Sequence, residues 1–181
     1  MKLTPKILRS VLVGLAVLLA GGCTSLPDGI EPVGEFDLDG YLGKWYEVAR
    51  SDHRFERGLQ QVTADYSMRA GGGVKVINRG FATDEQKWKS VEGRAYPVGD
   101  PDVAHLKVSF FGPFYSSYCV FELDPGGQFA FVSGANHSYL WLLARTPQVS
   151  DTVIESFVER AGELGFDTEG LIFVDHEPAK K

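Results

Sequence analysis

The sequence predicts an all-β fold: an eight-stranded antiparallel up-and-down β-barrel with one C-terminal α-helix packed outside it. Three observations carry this expectation. Beyond Phe36, short runs of period-two character recur at regular spacing, separated by clusters rich in Gly, Pro, Asn and Asp. The composition favours turns and aromatic strands, with 21 Gly and 12 Phe against 2 Met in 181 residues. An apolar content of 44% supplies one core, and Cys23 and Cys119 are too few for a disulfide framework or a multi-cysteine zinc site.

In chain order, residues 1–22 read as a signal peptide. Lys2, Lys6 and Arg9 precede an apolar run over 11–20 that closes on Gly21-Gly22, shorter than the roughly 20 residues a membrane span needs. Its removal makes the chain three charges more negative than the formal −6 of the full sequence, which argues against a nucleic-acid partner. Residues 23–35, with Pro27, Gly29, Pro32 and Gly34 and no periodicity, read as a tether. The barrel domain spans 36–177, and 178–181 form a tail. Strands are expected over 43–50, 60–68, 74–80, 87–96, 104–111, 118–123, 128–133 and 139–145, with turns such as Gly71-Gly72-Gly73 and Asp124-Pro125-Gly126-Gly127 between them. Ser150 is a plausible N-cap for a helix with Val153, Ile154, Phe157, Val158, Ala161 and Leu164 on one face, ended by Gly165. A last apolar run over 171–174 offers a ninth strand.

Specific residues sharpen the expectation. Gly43-Lys44-Trp45-Tyr46 resembles the Gly-x-Trp signature of lipocalins, and Leu143-Ala144-Arg145-Thr146-Pro147 resembles their last signature, whose Arg packs across that Trp. Leu123-Asp124-Pro125, with Phe129 after it, is similar to the middle signature. Ala20-Gly21-Gly22-Cys23 resembles the lipobox of bacterial lipoproteins, and the wording of 53–59 and 108–115 is similar to bacterial outer-membrane lipocalins. The resemblance implies a lipid anchor on Cys23, with Thr24 after it directing the protein to the outer membrane. It also implies binding of fatty acids or lysophospholipids, a role in membrane maintenance, and a homodimer. Topology supports part of this independently. In an up-and-down barrel, the start of strand one, the turn between strands six and seven and the end of strand eight share one end. Gly43, Trp45, Asp124 and Arg145 are therefore a candidate barrel floor, with a guanidinium over an indole face.

With Arg145 at the floor, alternation turns Leu143, Trp141 and Tyr139 inward. The same parity places Val62, Ala64, Tyr66, Val76, Asn78, Val91, Leu106, Val108 and Phe110 inside, and leaves the faces of 118–123 and 128–133 open. Such a lining favours an acyl chain over a sugar or nucleotide. At the open end, His53, Arg54 and Arg57, with Arg50 just below, are candidates for a phosphate or carboxylate head group; the alternative is a solvated loop offset by Glu56. The apolar loop over 110–115 suits membrane contact, a ligand lid, a dimer patch or plain core packing. Four scattered histidines show no metal-ligand spacing, no phosphate-loop or nucleophile-elbow motif occurs, and neither metal nor cofactor is expected. Two alternatives to a lipid binder stay open: a lipocalin-fold esterase or hydrolase using Cys119, and a structural envelope lipoprotein without ligand.

Overall fold

The computed structural model describes residues 24–177; the segment 1–22, Cys23 and the tail 178–181 lie outside the described residues. Nine strands form one sheet: β1 Gly43–Arg50, β2 Leu59–Met68, β3 Val74–Ala82, β4 Lys87–Pro97, β5 His105–Ser109, β6 Ser116–Leu123, β7 Phe129–Ser133, β8 Leu140–Ala144 and β9 Ile172–Phe173. All neighbours are antiparallel in the order β2-β3-β4-β5-β6-β7-β8-β1-β9, and β1 also pairs with β2, which closes the first eight into a barrel. Helix α1, Leu38–Tyr41, precedes β1, and α2, Asp151–Glu163, follows β8.

Alternation divides the apolar residues between two cores. Trp45, Tyr66, Val76, Leu106, Val120, Val132 and Leu143 point into the barrel. Cys119, Phe131, Leu140 and Leu142 point outward, where Phe157 and Ala161 of α2 cover them. This settles the faces of β6 and β7: both sides are buried there, so the runs are apolar throughout and their period is lost in the sequence. Ser150 occupies the N-cap of α2, but its side chain makes no capping bond. Gly165, with φ +82°, ends the helix as its N–H donates to the Gly162 carbonyl.

Two features depart from expectation. Residues 26–36 do not form a free tether. Val33 exchanges backbone bonds with Val120 and Ala104 (2.9 and 2.8 Å), Ile30 is buried, and Phe36 N–H donates to the Asp102 carbonyl; the apolar residues scattered among the turn formers cover the outside and underside of the barrel. β5 ends at Ser109 rather than 111; the next residue, Phe110, keeps the inward face and packs over Gly93, where a Cβ would stand 2.7 Å from its ring. β9 is a wedge. It pairs with the upper half of β1, Ala49↔Phe173 and Arg50↔Ile172, while Gln61 N–H donates to the Asp175 carbonyl, so residues 172–175 bridge β1 and β2 where they splay apart.

The closed end is plugged by α1, an element too short for any periodicity to reveal. Asp37 caps it by accepting from Asp39 N–H, and Tyr41 is buried with its ring 4.7 Å from Trp45. Trp45 Nε1 donates to the Tyr41 carbonyl at 2.8 Å. The Arg145 guanidinium lies 3.9 Å over the Trp45 ring and donates to the carbonyls of Lys44 (2.9 Å) and Gly40 (2.8 Å). Gly43, at φ +92°, lets the chain turn from α1 into β1 beside that guanidinium. Asp124 acts one step removed: its carboxylate accepts from Gly126 and Gln128 N–H, both at 3.0 Å, and so shapes the turn whose Gln128 carbonyl receives Arg145 N–H.

Candidate functional site

Strand β1 carries a β-bulge between Glu47 and Ala49. Simple alternation from Trp45 would point Ala49 inward and Arg50 outward. The extra residue reverses this: Ala49 faces α2's side, and Arg50, opposite the inward Trp141, enters the barrel three residues from Glu47. Glu47 Oε1 accepts from Arg50 Nη1 at 2.7 Å, and both side chains are almost fully buried. Arg50 Nη2 donates to the carbonyls of Glu56 (2.9 Å) and Leu59 (3.2 Å), which folds the loop 51–58 over the mouth.

That loop completes the cluster. Glu56 Oε2 accepts from Trp141 Nε1 at 3.1 Å and lies 2.9 Å from His53 Nε2, off the line of a well-directed hydrogen bond. The His53 ring, 7% exposed, packs 5.4 Å from both Tyr139 and Trp141, whose rings stack on each other. The Arg50 guanidinium thus pairs with the Glu47 carboxylate and holds the backbone of Glu56, whose own carboxylate faces His53 and Trp141. Burial, followed by the charge of Glu56, holds the Glu47 carboxyl well above the usual range, against the pull of Arg50. Burial opposes ionisation of Glu56 as well, but His53, Trp141 and Arg50 together hold its carboxyl below the ordinary value. Arg50 Nε, His53 Nδ1 and Asn78 Oδ1 are buried without a protein partner. The upper barrel is therefore polar at its centre, where alternation had given a lining suited to an acyl chain.

Below this cluster the lining is apolar. Ala64, Tyr66, Val76, Leu106, Val108, Phe110 and Trp141 all pack in the interior cluster. Asn78 stands opposite Ala64 on one side and Val91 on the other, so it shares their face. Deeper still, Tyr118 Oη meets the hydroxyls of Tyr41 (2.7 Å) and Tyr66 (3.0 Å), and burial pushes all three phenols up. The hydroxyls satisfy one another, so the floor needs nothing from a ligand.

The three head-group candidates are not brought together. His53 turns inward, Arg57 is exposed and bound through two nitrogens to Asp52 (3.1 and 2.9 Å), and Arg54 is exposed with its guanidinium 4.8 Å from the Phe55 ring. Asp52, close in the same loop, offsets the charge expected of Arg57. Arg50 is the cation that the β1 bulge turns into the barrel interior. Sequence reasoning placed it below the loop and missed its entry, because a bulge leaves no mark on alternation until the partner strand is known. Cys119 lies under α2, where burial pushes its thiol up to about 12, so it is protonated at neutral pH.

A closed eight-stranded barrel, an Arg across a Trp at its floor and a helix along its side converge on one family. Residues 36–176 match the family model described as a lipocalin-like domain. The chain belongs to the lipocalins. This lipocalin is 52% identical over 171 residues to outer membrane lipoprotein Blc of Vibrio cholerae, covering 94% of this chain and all of the relative. It is 47% identical over 171 residues to outer membrane lipoprotein Blc of Escherichia coli strain K12, covering 93% and 97%. Among solved structures, insecticyanin from the tobacco hornworm Manduca sexta shares the fold with a TM-score of 0.68 at 18% identity, over 86% of this chain and 88% of that one.

Proposed function

We propose that this lipocalin binds fatty acids or lysophospholipids in its barrel and stores or carries them for membrane maintenance, anchored in the outer membrane of a Gram-negative cell through acylated Cys23. The observation that carries the reading is the two-part interior: an apolar barrel lining suited to an acyl chain, topped by buried Arg50 and His53, whose nitrogens Arg50 Nε and His53 Nδ1 lack a protein partner. Lipids with an anionic head fit both parts. Two relatives named outer membrane lipoproteins support the location. The candidate floor, Gly43, Trp45, Asp124 and Arg145, holds the barrel closed at the other end. An esterase using Cys119 is disfavoured, since its thiol faces α2 rather than the barrel interior.

The test is a lipid extract of the purified protein identified by mass spectrometry, followed by titration with a lysophospholipid and a neutral long-chain alcohol. His53→Gln should weaken the lysophospholipid about tenfold, the scale of one charge-assisted hydrogen bond, and leave the alcohol nearly unchanged. A barrel that carries no lipid and takes up neither ligand would sink the proposal and favour a structural lipoprotein.

A further inference from the structure

The two ends of the barrel differ in what they show to solvent. Six large apolar side chains are exposed among the described residues. Phe55, Phe111 and Phe114 lie in open-end loops, with exposures of 55%, 67% and 77%. Trp88 starts β4 at the same end, and Phe173 pairs with Ala49 in the upper half of β1. Only Met68 lies at the closed end. Charge runs the other way. Around the closed end, Glu35, Asp37, Asp39 and Asp102 line one groove of about 490 Å³. At the open end, charges of both signs compensate: Arg57 pairs with Asp52, and Lys87 and Lys89 pair with Glu85.

The N-terminal segment adds a constraint on distance. From Phe36 at the closed end it climbs past Val33 to Gly29, where a Cβ would stand 3.5 Å from Leu164. Leu164 closes the far end of α2, and its carbonyl accepts from His137 in the β7–β8 loop, at the open end. Only five residues separate Gly29 from Cys23, six chain steps with a reach of at most about 22 Å. The turn in which Ile30 N–H donates to the Pro27 carbonyl shortens it further.

We propose that the lipocalin sits mouth-first on the bilayer, with Phe111, Phe114 and Phe55 entering the interface of an anionic phospholipid membrane and the acidic closed end turned away. The reading rests on acylation of Cys23. A short leash holds the domain against the membrane, apolar loops favour the interfacial zone about 5–10 Å deep, and like charge repels the closed end from anionic lipid. A ligand then enters the barrel directly from the bilayer without crossing water.

The test uses the mature acylated protein in vesicles of phosphatidylethanolamine and phosphatidylglycerol containing a nitroxide-labelled lipid. Phe114→Cys and Met68→Cys are each labelled with bimane; buried Cys119 stays unlabelled. Quenching at position 114 should exceed that at 68 several-fold. Equal quenching, stronger quenching at 68 or none at either position overturns the orientation. A probe at 114 shielded from both lipid and aqueous quenchers assigns the loop to a second copy or a closed lid, which overturns it as well. Intact-protein mass spectrometry separates the two failures: absence of acyl mass defeats the anchored reading, whereas acylated protein with the wrong quenching pattern defeats only the orientation.

Discussion

The closed and open ends of this barrel are built from the same strands and solve opposite problems. At the closed end the polar groups of the plug are satisfied within the protein: Trp45 donates to Tyr41, Arg145 to two carbonyls, and three tyrosine hydroxyls to one another. At the open end a guanidinium and an imidazole are buried with nitrogens to spare, and phenylalanines face outward. The contrast teaches where the molecule keeps its stability and where it keeps its capacity to bind. A site with unsatisfied donors is held in place by a floor that has none.

Four changes would break or sharpen the contrast. Trp45→Ala removes a fully buried indole from beneath Arg145 and should lower stability by about 3–5 kcal/mol in urea unfolding; an unchanged midpoint would show that the floor does not hold the barrel. Arg50→Ala leaves Glu47 without its buried ion-pair partner and frees the loop carbonyls of Glu56 and Leu59, and should cost about 3 kcal/mol. Adding Glu47→Gln should recover part of that loss, and strict additivity of the two changes would argue against the pair.

The third change concerns pH. The Glu47 carboxyl keeps its proton above the ordinary value of 4.5, so the folded chain binds a proton that the unfolded chain releases, and this contribution to stability declines as pH rises from 4.5 towards the folded value. Glu56 acts oppositely and only below 4.5, its contribution being lost as pH falls. Urea midpoints of Glu47→Gln across pH 5 to 8 (roughly the range in which most proteins are stable) should therefore vary less than those of the parent; an identical slope would assign it to other groups. The smallest effect is expected of Arg57→Ala. Its charge is offset by Asp52 in solvent, so lysophospholipid affinity by titration should stay within about twofold; a tenfold loss would return the head-group role to the outer loop.

Much of this was legible without a structure. Strand order, the turns, the helix face from Val153 to Leu164 and the meeting of Trp45 with Arg145 follow from hydrophobic period and chain direction, which are local properties that topology combines in one way. The inward parity of Ala64, Tyr66, Val76, Leu106 and Val108 was readable for the same reason: each lies in a strand with one polar face. Arg50 was not. Its direction depends on a single extra residue at Val48, and whether a chain bulges there is decided by the pairing with Leu142 and Leu143 almost a hundred residues later.

By itself, then, the sequence determined a closed barrel with a signed floor, because alternation and turn chemistry act within a few residues of themselves. Tertiary structure alone decided that 26–36 lie along the barrel, that β9 wedges between β1 and β2, and that Glu47, Arg50, His53 and Glu56 converge inside. Each of those depends on contacts between distant segments, whose free energy belongs to the pair and leaves no period in either one.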